Sequence, residues 1–112
     1  MTAVDDAAGT VAAAALFRGL ADPTRLTILQ HLALGEHRVV DLTAHLGLAQ
    51  STVSQHVACL RDCGLLSART EGRSTLYALA EPALLELLAS AERLLAATGR
   101  AVVLCPTTGG EA

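Results

Sequence analysis

Apolar residues recur three and four positions apart through most of this chain and then, for one short stretch, at every second position. Leu26, Leu29 and Leu32, joined by Ile28, make one stripe, and Val53, Val57 and Leu60 make another. Such spacing puts each set on one face of a helix. Asp22-Pro23-Thr24 predicts the start of the first of these helices, because Asp22 can cap free N–H groups and Pro23 suits a first turn, where its missing donor costs nothing. Gly35 stops that helix. Ahead of it, Val11, Ala15 and Leu16 form a partial stripe that predicts a helix over 8–20.

Two short helices are expected next, over 39–46 and 50–63, parted by Gly47-Leu48-Ala49. This is the helix-turn-helix pattern, although the same spacing serves any αα-hairpin. The surface chemistry favours DNA. Gln50, Ser51, Thr52, Ser54 and Gln55 surround the exposed start of the second helix, and all are short polar groups able to reach base edges or phosphates.

After Gly64 the period becomes two. Residues 65–69 and 74–79 read as strands around Thr70-Glu71-Gly72-Arg73, a turn containing the glycine a hairpin needs. A hairpin directly after a reading helix is the wing of a winged helix. Arg69 and Arg73 near its tip are candidate phosphate or minor-groove contacts, against the plain alternative of a solvated turn. A last helix is expected from Glu81-Pro82 to about 98, where Leu84, Leu85, Leu87, Leu88, Leu94 and Leu95 cover more than one face and mark a subunit interface.

The fold class expected is therefore mainly α with a small β-hairpin wing, a winged helix-turn-helix. It occupies 9–98, between flexible tails at 1–8 and 99–112. Length agrees with one domain: 112 residues hold one core, and a 52% apolar content with one Phe and one Tyr implies closely packed helices of small side chains. No apolar run approaches the ~20 residues of a membrane span, and the acidic start is unlike a signal peptide, so a soluble cytoplasmic protein is expected. Net charge is −3, all eight basic residues being arginine, and residues 50–77 carry three Arg against one Asp and one Glu. That is a weak basic footprint for a DNA binder, which dimerisation would double. No nucleophile–base–orienter set or phosphate-binding glycine loop appears, so an enzyme is not expected.

Cys59 and Cys63 lie four residues apart where the reading helix ends. Four residues advance about 400°, so both thiols share a face within reach of one soft ion. With Val53 as the middle of the inward face, ~100° per residue puts them near 240° and 280°, off the core stripe and beside Thr52 and His56. A free cysteine is often only a small buried hydrophobe, but this placement leaves both thiols open to an external partner. An odd total of three cysteines also argues against a disulfide framework.

This order of elements, with LADPTRLTILQHL, then DLTAHLGLAQSTVSQHVACLRDCGLL, then EGRSTLYAL, resembles the ArsR/SmtB family of metal- and metalloid-responsive winged-helix repressors over about residues 14–98. The resemblance implies a homodimer joined through its first and last helices. It would bind an imperfect palindrome in double-stranded operator DNA and release it when an inducer binds. Base- and backbone-contacting roles carry over to Gln50, Ser51, Ser54 and Gln55, with Arg73 assisting and His56, a feature of the same reading helix, a further candidate DNA contact.

Two of the family's inducer sites are missing. The thiol site before the turn needs an ELCVCDL-like segment, but this chain reads EHRVVDL, with Arg38 and Val40 at the thiol positions. The site on the last helix needs Asp and His, and no histidine follows His56. What remains, Cys59-x-x-x-Cys63 followed by Cys105 in the tail, is similar to the CmtR-type cadmium/lead sensors, whose third thiolate comes from the opposite subunit. Three thiolates suit cadmium(II) or lead(II), with zinc(II) able to bind if a fourth ligand or water completes a tetrahedron, and arsenic(III) accepts the same set. His56 is the alternative fourth ligand; His31, His37 and His45 read as surface or helix-end residues. A thiol-redox sensor of the same fold and a metal-binding helical dimer with no DNA role are the other readings.

Overall fold

Local signals at Asp22 act as the sequence predicts. The residue is extended (φ −154°, ψ 125°), its carboxylate accepts the Arg25 N–H at 3.0 Å, and Pro23 occupies the first turn of the helix that follows. The computed structural model describes residues 6–104. In it α1 (Asp6–Leu20) leads to α2 (Pro23–Leu32), then α3 (Val39–Leu46), α4 (Gln50–Asp62), β1 (Leu66–Glu71), β2 (Ser74–Leu79) and α5 (Ala83–Ala97).

The Arg25 bond also holds the Asp22 carboxyl below the usual carboxylate range. A carboxyl whose folded value is depressed adds stability that is fully present above its unfolded value of ~3.9 and is lost as pH falls through the lower folded value. Asp22→Asn, which keeps a capping oxygen without the charge, should therefore remove part of the stability loss below about pH 4. Asp22→Ala should also lower the neutral-pH Tm by a few degrees, both read by thermal melting.

α4 sits at the centre. Its inward stripe, Val53, Val57 and Leu60, is fully or almost fully buried, against Ile28 and Leu29 of α2, Leu42 of α3 and Leu84 of α5. Between α3 and α4 the chain turns at Gly47, whose φ of +69° most side chains avoid and whose N–H closes α3 onto the Thr43 carbonyl at 2.8 Å. The strands pair antiparallel with Leu66 opposite Leu79 and Glu71 opposite Ser74. β1 thus runs two residues further than its alternation suggested, and the turn shrinks to Gly72-Arg73, with Gly72 at φ +62°. One more rung lies outside the hairpin. His37 and Tyr77 exchange both backbone hydrogen bonds, at 3.0 and 2.8 Å, which ties the wing to the segment entering α3.

On α1, Val11 of the partial stripe is 65% exposed, and only Gly19 and Leu20 are buried. The stripe is real, but the chain supplies no layer to cover it. Phe17 and, on α5, Leu94 are exposed as well. No helix among the described residues is long and apolar enough to cross a membrane.

Candidate functional site

Burial of Val53 and Val57 fixes the rotation of α4, and so aims the alternate residues outward. Gln50, Ser51, Thr52, Ser54 and Gln55 are all exposed. The helix starts at Ala49, which has no side chain to cap it, so the first-turn N–H groups receive no side-chain acceptor from the cap residue. A polar groove opens beside this end, lined by Arg38, Val40, Gln50, Ser54, Arg73 and Thr75. It joins the start of α4 to the wing.

Two other expected DNA contacts are engaged within the protein. The Arg69 guanidinium lies on the Glu36 carboxylate at 2.7 and 2.8 Å, with Glu71 at 3.8 Å, and this pairing pulls Glu36 down and pushes Arg69 up in pKa. His56 is half-buried, its Nδ1 3.3 Å from an Arg25 nitrogen. Because a guanidinium only donates, Nδ1 is the acceptor in that bond. The same Arg25 donates from Nε to the Gly19 carbonyl at 2.6 Å and from Nη2 to the Arg18 carbonyl at 3.3 Å. It joins the end of α1 to the reading helix, a role the sequence did not disclose, since the partners are 31 and about six residues away.

The two thiols behave as their angles suggested. Cys59 is half-buried, Cys63 is exposed at the C-cap of α4, and neither is in a disulfide. Burial, and next the adjacent Cys59 thiol, push the Cys63 thiol above its ordinary value, while Arg25 acts in the opposite sense. An incoming ion must therefore displace a proton there. Cys63 also rests on α1: a Cβ added to Gly19 would come within 3.1 Å of its Sγ. Gly19→Ala should displace the thiol by a few tenths of an ångström and weaken binding of a thiophilic ion roughly tenfold with little effect on helix content, as checked by competition titration and circular dichroism.

The pair suits a soft ion but is incomplete as a site. Among the described residues no third His, Cys, Asp or Glu, His56 included, joins Cys59 and Cys63 in a ligand-sized group, and Cys105 lies outside those residues. The group that does form is made of the histidines expected at the surface or at helix ends. His31, His37 and His45 bring ligand nitrogens within 4.8 Å of one another.

Comparison with known proteins decides the lineage. Residues 22–68, from the α2 cap through the start of β1, match the model of the bacterial regulatory protein, arsR family. A probable mercury resistance operon repressor of Streptomyces lividans is 40% identical over 98 residues, covering 88% of this chain and 78% of the relative. The chain belongs to the ArsR family. The HTH-type transcriptional regulator CmtR of Mycobacterium tuberculosis is 54% identical over 70 residues, 62% of this chain and 59% of that protein. Among solved structures, a homodimeric winged helix-turn-helix DNA-binding domain from Mycobacterium bovis superposes with a TM-score of 0.74 at 31% identity, covering 88% of this chain and 93% of that one. ArsR-family membership makes the fold a winged helix-turn-helix and the protein a transcription regulator, not an enzyme.

Proposed function

We propose that the protein is a metal-responsive repressor that occupies operator DNA as a homodimer and leaves it when Cys59, Cys63 and Cys105 take up one thiophilic ion, cadmium(II) or lead(II). The observation that carries this reading is the pair of free thiols one turn apart at the end of the reading helix. The Streptomyces relative is named for a mercury resistance operon, and mercury(II) shares the preference for sulfur.

Dimerisation is supported by the uncovered Val11, Phe17 and Leu94 on α1 and α5, and by the homodimeric Mycobacterium domain. Two α4 helices spaced about one DNA turn, ~34 Å, would read the halves of an imperfect palindrome in double-stranded DNA. Gln50, Ser51, Thr52, Ser54 and Gln55 supply the base and backbone contacts, the uncapped α4 terminus offers N–H groups to a phosphate, and Arg73 reaches out from the wing. His56 supports the reading helix from behind. Arg69 would have to leave Glu36 before touching a phosphate.

The domain at 9–98 would carry Cys105 in its tail, supplied across the dimer in the cytoplasm where the DNA lies. Cys59 and Cys63 lose thiol protons on coordination, which puts negative charge beside the phosphates, and the third thiolate ties a tail to the reading helix. Helix spacing then no longer fits DNA. Shifting occupancy from 99:1 to 1:99 takes a coupling of ~5.5 kcal/mol.

The test is a titration of the reduced protein on its own promoter DNA with cadmium, lead, mercury, zinc and arsenite, following DNA release and thiolate absorption together for wild type and Cys105→Ser. Release that tracks a thiolate band weakened by Cys105→Ser is the expected result, and the order of effective ions names the inducer. Saturated protein that holds DNA as tightly as metal-free protein would overturn the proposal. Release by peroxide alone would replace it with a redox sensor.

A further inference from the structure

We propose that His31, His37 and His45 form a second cation site, built from imidazole and not from thiolate, for a borderline divalent ion of the zinc(II) class. The three come from different elements: the last turn of α2, the segment entering α3 and the last turn of α3. Their ligand nitrogens nevertheless lie within 4.8 Å of one another. The rings of His31 and His45 stack at 4.8 Å with 13° between planes, and His37 meets both edge-on at 6.2 and 5.7 Å.

Three features separate this cluster from a chance gathering of surface histidines. His37 Nδ1 is 2.8 Å from the Gly35 carbonyl. A carbonyl only accepts, so Nδ1 carries the hydrogen and Nε2 keeps its lone pair; zinc-binding histidines are oriented by bonds of this kind. Second, no carboxylate makes an ion pair with the group, although Asp41 is near enough to His37 to feel its charge. Glu36 is taken by Arg69 and Asp41 by Arg38, and no ion pair among the described residues includes a histidine. Convergent imidazole nitrogens from three separate elements are what imidazole-preferring ions accept.

Third, the closure required is small. A tetrahedral ion with Zn–N bonds of ~2.0–2.1 Å sets its nitrogens ~3.3 Å apart, so the widest pair must approach by ~1.5 Å. His45 is exposed, so its ring can turn toward the other two at the cost of its stacking on His31. Three protein nitrogens leave one position to water, so the bound ion would be exchangeable. Its effect would also reach the wing, since His37 is the residue whose backbone pairs with Tyr77 of β2. Nothing in this site depends on Cys59, Cys63 or Cys105.

Cobalt(II), which takes the same ligands and absorbs in the visible, is the probe, with zinc(II) as competitor. In the Cys59→Ser/Cys63→Ser/Cys105→Ser protein, one cobalt per chain should bind without a thiolate charge-transfer band, and His45→Ala in that background should weaken it at least tenfold. Should the triple variant fail to fold, wild-type protein first given one equivalent of cadmium takes its place: one equivalent of cobalt is expected to bind beside it, and to be lost on His45→Ala. Absence of that equivalent, or cobalt binding as tight after His45→Ala as before it, overturns the proposal.

Discussion

Cys59→Ser should leave operator binding by the metal-free protein within about twofold of wild type and raise the metal concentration for half-release by roughly 100-fold or more. The side chain lies off the buried stripe of α4, half-buried, so exchanging sulfur for oxygen disturbs little packing. What is lost is a soft ligand. Hydroxyl oxygen does not replace thiolate toward cadmium or lead, and two remaining thiols bind far more weakly than three. Fluorescence anisotropy of labelled promoter DNA, with and without cadmium, separates the two quantities. A variant that loses DNA binding without metal would show that Cys59 serves the fold.

The neighbouring residue should respond in the opposite way. Leu60 is fully buried in the core where α4 meets α2, α3 and β1, and Leu60→Ala removes three heavy atoms from that packing. The expected cost is about 2–5 kcal/mol, a large share of the total for a domain of this size, or a fall in Tm of about 10–30 °C. Thermal melting at several protein concentrations checks it, since a dimer melts at a concentration-dependent temperature. One step along α4 would thus pass from a residue proposed to hold the ion to one that keeps the chain folded.

That alternation was legible in the sequence because it depends on local geometry alone. Val53, Val57 and Leu60 define the inward face by spacing, and the positions of Cys59, Gln50 and Ser54 follow by rotation. The Gly47 turn was legible for a similar reason, as a positive φ is a property of one residue. β1 was read too short, because Thr70 and Glu71 carry no apolar alternation and join the strand through their pairing with Thr75 and Ser74. Val11 shows what periodicity leaves open, since spacing reports that a stripe exists, not which chain covers it. The histidine group escaped notice for a deeper reason: His31, His37 and His45 share no helical period. Only the packing of α2 against the entry to α3 brings them together. Arg25 escaped in the same way, two of its three acceptors being carbonyls, which leave no trace in a pattern of side chains.

Arg25 also bears on how such a protein can change over generations. Three of its nitrogens each meet a different acceptor, two carbonyls on α1 and one imidazole on α4. A lysine offers one compact ammonium on a flexible stem and cannot span that fork. Drift at position 25 is therefore narrow even toward the residue closest to it in charge. Polar groups at the start of the reading helix can be exchanged one at a time without touching this joint, whereas Cys63 at its end rests on Gly19, one of the residues Arg25 binds. New operators are thus open to gradual exploration, while the coupling between the outer helix and the reading helix is inherited whole.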